Sequence, residues 1–280
     1  MYEDLHEIGE PDVELKERQK SYRLLFILSR HGPKIGVNGS LSPEGFEQTK
    51  EVHRGRYTSG APTEEMDVVV SPIFRTWETG QAATSALLEH EGQLGDVDVD
   101  ARLTEGVLSE NEDRVNEIGR LTGGPDGRHG RMLVAWLTLE KRLANWPEMM
   151  LASEAAANVA NVILERIDKQ KKKGGNKKVE AFSHGPVLAA FLDRLEQLSG
   201  QQILPADWKE QAVHGVGKET SPMWTIFDFN SHVALSTSSD KPEEFTLEFT
   251  GKSIKVPLHV LREMAAQGSV NEESEQLAAK

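Results

Sequence analysis

The 280-residue chain contains no cysteine, which excludes disulfides, thiolate metal sites and a cysteine nucleophile together. It also lacks long apolar runs. The longest unbroken one, Leu24 to Leu28, falls far short of the roughly 20 residues that span a bilayer. Aromatic residues are sparse at 6%, and 32 Lys and Arg are outweighed by 45 Asp and Glu. A net charge of −13 argues against nucleic acid as a partner, because cationic contacts to phosphate dominate that affinity. A small anion stays acceptable, since a few arginines gathered in one crevice dominate its local field. The opening Met1-Tyr2-Glu3-Asp4 shows neither the basic nor the apolar region of a signal peptide. The expectation is a cytoplasmic protein with no membrane partner.

What is present is ordinary globular usage, with 38% apolar residues and 24 Gly. Tyr22 to Ser29 reads as a buried strand, a short apolar run rich in strand formers. Ser42-Pro43-Glu44-Gly45 opens a helix, with Ser42 as N-cap and Pro43 in its first turn. Asp67 to Ser71 is a second strand, Pro72 to about His90 a helix, Val97 to Asp100 a third strand and Val179 to Ser183 a fourth. A helix from Pro186 to Leu198 follows. Strands alternating with helices at this spacing predict an α/β fold with a mostly parallel central sheet. A helical insert is expected at about 108–178, with helices from Met132 to Trp146 and Glu148 to Lys169 and a solvated turn over Lys169 to Lys178. Met223 to Asn230, His232 to Thr237 and Glu244 to Phe249 read as antiparallel edge strands, with pairing across an interface possible near Thr246. Residues 1–20 are taken as an N-terminal arm, 21–268 as one domain and 269–280 as a mobile tail.

Four histidines precede a glycine: His31, His129, His184 and His214. Ligands of open α/β sheets bind beyond the carboxyl ends of the strands. Only His31 and His184 directly follow a strand, so position on the sheet selects them. Arg30 stands beside His31, and Arg75 falls in the first turn of the helix after the second strand, near a positive dipole end. Glu105 lies a few residues beyond the third strand. His53, Arg54 and Arg56 read as a solvated helix end. Gly251-Lys252-Ser253 imitates the end of a phosphate-binding loop, but Thr246 occupies the place of its first glycine.

Leu28-Ser29-Arg30-His31-Gly32, Leu41-Ser42-Pro43-Glu44-Gly45, Ser71-Pro72-Ile73-Phe74-Arg75-Thr76-Trp77-Glu78-Thr79, Leu103-Thr104-Glu105 and Ser183-His184-Gly185 run in one order along the chain. In that order they resemble the histidine phosphatase superfamily, the phosphoglycerate-mutase-like proteins, in its branch 1. The resemblance covers roughly residues 22–235 and implies a three-layer α/β/α fold with a phosphoryl group carried on the first histidine. It assigns attack on phosphorus to His31, and places Arg30, Arg75 and His184 around the phosphoryl oxygens. Glu105 becomes the proton donor and then the base for water, with Glu110, Glu112 and Asp113 as alternatives. Neither metal nor cofactor is implied, because the arginines neutralise the charge.

Asn38 and Lys34 join the list of substrate-binding candidates. Asn38 stands one residue away from the spacing at which family members place a polar phosphate contact. Lys34 would add a cation, as an Arg does in the acid-phosphatase branch, although that branch has His-Asp where this chain has His184-Gly185. The function implied is a metal-independent phosphomonoesterase acting on a small phosphorylated substrate or a phosphoprotein. A phosphoglycerate-type mutase and a non-catalytic phospho-ligand binder are the alternatives. Arg114, Arg120, Arg128 and Arg131 of the insert are candidates for contacting the far end of the substrate.

Overall fold

The computed structural model describes residues 20–33, 39–58, 65–104, 133, 136–138, 150–209 and 230–278. Strand β1 (Tyr22–Arg30) buries Leu24, Phe26 and Leu28 on one face and Ile27 and Ser29 on the other. This two-sided burial is what an unbroken apolar run in a central strand produces. Helix α1 (Pro43–Thr58) starts as expected, with the Gly45 N–H donating to Ser42 Oγ at 2.8 Å. Strand β2 (Met66–Val70), helix α2 (Phe74–Glu89) and strand β3 (Leu94–Val99) follow. Helix α2 begins two residues later than Pro72 would suggest, and Arg75 still falls in its first turn.

Helix α3 (Ala152–Lys173) leads through Gly174, at φ 76°, directly into strand β4 (Gly175–Ser183). The solvated turn expected over Lys169 to Lys178 is therefore corrected: one residue makes the connection, and β4 starts four residues earlier than its apolar run. Lys177 masks the strand in the sequence. Its side chain is buried because Nζ meets Asp67 Oδ1 at 2.6 Å and Glu65 Oε1 at 2.8 Å, and a paired charge tolerates burial. Helix α4 (Gly185–Ser199) follows β4.

Strands β5 (His232–Ser238), β6 (Glu244–Phe249) and β7 (Lys252–Pro257) complete a seven-stranded sheet in the order β3-β2-β4-β1-β5-β6-β7. The pairs β3–β2, β2–β4 and β4–β1 are parallel, and β1–β5, β5–β6 and β6–β7 are antiparallel. Strand β7 corrects the edge assignment. It covers β6, so Thr246 pairs with Lys255 and its backbone is not open to another chain. Gly251 is a turn residue at φ 76° between these strands, so the phosphate-loop look-alike is a hairpin.

Helix α5 (Leu258–Ala278) runs through the stretch expected to be a mobile tail. It stays close to α3 because Gly268 allows it: a Cβ there would come within 2.7 Å of the Ala157 Cβ. Helices α3, α4 and α5 cover one face of the sheet in a single apolar cluster with Leu24, Phe26, Leu28, Val179 and Ala181. Leu133 and Trp136 of the expected packing helix belong to that cluster, while Leu139 and Leu143 lie outside the described residues. A smaller cluster on the other face packs Ala83, Ala86 and Leu87 of α2 and Tyr57 of α1 on Met66, Val68, Val70 and Phe182. The result is three layers, α/β/α. Each large side chain buried in them stabilises the fold by about 1.5–3 kcal/mol. Among the described residues, no helix is long and apolar enough to cross a membrane.

Candidate active site

Adjacent parallel strands β1 and β4 pair in register to their last residues, Arg30 opposite Ser183. The next residue of each is a histidine. The His31 N–H donates to the Ser183 carbonyl at 3.0 Å, and the ring centroids of His31 and His184 lie 5.5 Å apart, edge to face at 63°. Both side chains leave the sheet on the α1–α2 face, the face taken by Ser29, Glu180 and Phe182. Pairing of the strands thus brings together two imidazoles separated by 153 positions.

The hydrogen bonds assign the ring nitrogens. His31 Nδ1 lies 2.8 Å from the Gly32 carbonyl, which only accepts, so Nδ1 carries the proton and Nε2 keeps a lone pair. Arg75 Nη2 donates to His184 Nδ1 at 3.0 Å, so the proton of His184 sits on Nε2, 3.1 Å from Ser71 Oγ. Ser71 Oγ passes its own proton towards Thr76 Oγ1 at 2.8 Å. The described contacts of His184 therefore orient Arg75 and Ser71.

Arg30, Arg75, His31 and His184 are each at most 4% exposed. Arg75 stands in the first turn of α2, and the Arg30 guanidinium lies against the start of α4, where a Cβ on Gly185 would be 3.3 Å from Arg30 Nε. Two guanidinium groups and the positive ends of two helices converge at one end of the sheet, an arrangement that favours an anion. The Gly32 N–H donates to Thr79 Oγ1 at 3.0 Å. Gly32 has no room for a side chain, since a Cβ would lie 2.1 Å from Thr49 Oγ1 of α1.

Glu105, Lys34 and Asn38 lie outside the described residues, as do Arg114, Arg120, Arg128, Arg131, His129 and His214. The described chain reaches Thr104, and the Leu103 carbonyl accepts from Ser183 Oγ at 2.6 Å, one residue from His184.

Sequence reasoning missed a second polar cluster beneath the histidines. Glu180, fully buried on β4, accepts from Tyr57 OH at 2.8 Å and Arg56 Nη1 at 2.9 Å, and meets His53 Nδ1 at 3.1 Å. Burial alone would raise its pKa, but His53, Arg56 and Lys178 together hold the carboxyl well below the usual range. The reading of His53 and Arg56 as a solvated helix end is thereby corrected, because Glu180 draws them inward. Arg54 alone of the three faces outward, paired with Glu51 and Glu89. The signal was there: Thr49, His53, Arg56 and Tyr57 recur at i, i+4, i+7 and i+8, one face of a helix.

His232 of β5 lies against the same group, with Arg56 Nη2 donating to its Nδ1 at 3.1 Å. Burial of the inner ring edge, then Arg56, push its pKa down to about 4 from 6.5. A value lower in the folded than in the unfolded chain means that the unfolded chain takes the proton first. Stability therefore falls as pH drops from about 6.5 towards 4. The Glu180 carboxyl acts in the same direction at lower pH, its contribution being lost as pH falls through its depressed folded value. His232 is exposed on its outer side, so screening leaves about 1 kcal/mol for it. Replacing His232 by Gln is expected to flatten the upper part of the decline in a series of thermal midpoints against pH. An unchanged slope between pH 6.5 and 4 would contradict this assignment.

No family model matches the chain, and no curated protein matches it. Several solved structures are similar to it. A mycobacterial glucosyl-3-phosphoglycerate phosphatase shows 16% identity over 76% of this chain and 90% of that chain, with a TM-score of 0.46. A phosphoserine phosphatase from Entamoeba histolytica shows 14% identity over 83% of this chain and 94% of that one, TM-score 0.41. A phosphoglycerate mutase from Plasmodium falciparum shows the same identity and coverages with a TM-score of 0.37. All three are histidine phosphatase superfamily members.

Proposed function

We propose that the chain is a phosphatase that hydrolyses phosphomonoesters through a phosphohistidine on His31. The observation that carries the reading is the pairing of His31 and His184 at 5.5 Å, with Arg75 bonded to the second ring. With Nδ1–H fixed on the Gly32 carbonyl, His31 presents the Nε2 lone pair as nucleophile. Attack forms the Nε2–P bond as the ester P–O bond breaks. Arg30, Arg75 and the starts of α2 and α4 meet the negative charge spread over the phosphoryl oxygens. His184 holds Arg75 in place by accepting from its guanidinium. Glu105 is proposed as the donor of the proton that the leaving oxygen takes, and as the base that later removes one from the attacking water. That water breaks the N–P bond, releases inorganic phosphate and restores the His31 lone pair.

Mixing the protein with a 32P-labelled monoester and quenching in alkali tests this sequence of bonds. An N–P bond survives alkali and breaks in mild acid, so label is expected on the peptide containing His31 and is expected to leave on acidification. Turnover of the ester with no label on that peptide at any quench time would overturn the covalent route. Assays over phosphorylated metabolites and phosphopeptides would then rank the substrates.

A further inference from the structure

The cluster around Glu180 reaches the nucleophile by two routes. In the first, Arg56 bridges outward: Nη1 is held by Glu180 at 2.9 Å, and Nη2 donates to the Asn230 carbonyl at 2.5 Å. Asn230 is buried and has a left-handed backbone, φ 62°, which costs a non-glycine residue free energy unless its surroundings enforce it. Its N–H points at the His31 carbonyl at 3.4 Å, and the neighbouring Ser231 carbonyl accepts the Arg30 N–H at 2.8 Å. In the second route, His53, Arg56 and Tyr57 tie α1 to Glu180, and Thr49 of the same helix abuts Gly32. The backbone of Arg30, His31 and Gly32 is thus gripped from the side opposite β4.

We propose that Arg56, anchored by Glu180 and gripping the Asn230 carbonyl, is a positioning residue for the His31 nucleophile. The catalytic part of this inference rests on His31 being the nucleophile. The planar guanidinium makes both contacts at once through two nitrogens. A lysine would keep the charge and the pairing with Glu180 but could not hold both acceptors in that fork. The Asn230 turn would then relax, and His31 would lose its alignment with the anion site. The Arg30, Arg75 and His184 side chains are all retained in the variant, so the charge that draws the anion persists.

The test compares Arg56→Lys with wild type, and with Arg54→Lys as a control on the exposed face of the same helix. For Arg56→Lys on an aryl phosphate, kcat per folded molecule is expected to fall about tenfold or more, the scale of a small misplacement of a reacting group. KM and the inhibition constant for inorganic phosphate should move less than about twofold, because uniform binding is retained. Backbone amide exchange in the peptide spanning residues 28–33 should quicken in Arg56→Lys and not in Arg54→Lys. An unchanged kcat, or kcat and phosphate affinity lost in parallel, would overturn the proposal. If Arg56→Lys does not fold, Glu180→Asp, which withdraws the anchor by one methylene, is read in the same way. A wild type inactive on every phosphomonoester would instead defeat the phosphatase reading, and the exchange comparison would still decide whether Arg56 holds the His31 backbone.

Discussion

His31→Ala is expected to lower aryl phosphate hydrolysis at least about a thousandfold, equivalent to about 4 kcal/mol of lost transition-state stabilisation. The proposed covalent route requires the loss. Without the imidazole there is no lone pair to receive phosphorus, and direct attack by water lacks a placed nucleophile. Binding should survive, because the charge that attracts the anion belongs to Arg30, Arg75 and the two helix starts. Inorganic phosphate should therefore bind the variant within a few-fold of wild type. The fold should also persist, since the Gly32 N–H bond to Thr79 and the strand pairing of Arg30 with Ser183 involve no part of the ring. A variant retaining a tenth or more of the wild-type rate would leave the proposed mechanism without its central atom.

Glu180→Ala should have the largest effect on stability, about 3–5 kcal/mol, because removing one partner of a buried charge cluster strands the others. Arg56 and His53 would face each other across the space left by the carboxylate, and Tyr57 OH would lose its acceptor. For a domain of this size the thermal midpoint should drop by about 10 °C or more. Replacing the group together, as His53→Leu, Arg56→Met and Glu180→Leu, is expected to recover much of the loss, since well-packed apolar side chains often match a buried ion pair. The combined variant should nonetheless remain a poor enzyme if Arg56 aligns His31. A midpoint within about 2 °C of wild type for Glu180→Ala would show that the cluster is hydrated and weakly coupled to folding.

The described part of the candidate site could be read largely from strand ends. Tyr22 to Ser29 and Val179 to Ser183 declared themselves by apolar runs, and the histidines after them fall side by side because those strands are parallel neighbours. Ser42 and Pro43 marked α1 by the chemistry of capping, and Arg75 was placed by its distance from β2. The polar cluster was hidden for the opposite reason. An acid inside Val179-Glu180-Ala181-Phe182 gives no sign of its partners until α1 is laid on the sheet. Lys177 concealed the start of β4 in the same manner, its charge being matched by Asp67 from a different strand. Strand β7 was missed because it is an edge strand in which only Val256 is buried, so almost no period-two pattern exists to be seen. These elements depend on contacts between distant segments, which local propensity does not report.

The spacing of the two imidazoles is set by a lattice constant. Neighbouring strands lie about 4.8 Å apart in any sheet, and rings carried on matching rungs inherit nearly that separation. The connecting segments contribute nothing to this ruler. Beyond Glu105, whatever links β3 to α3 can change in length without altering the distance between the two rings.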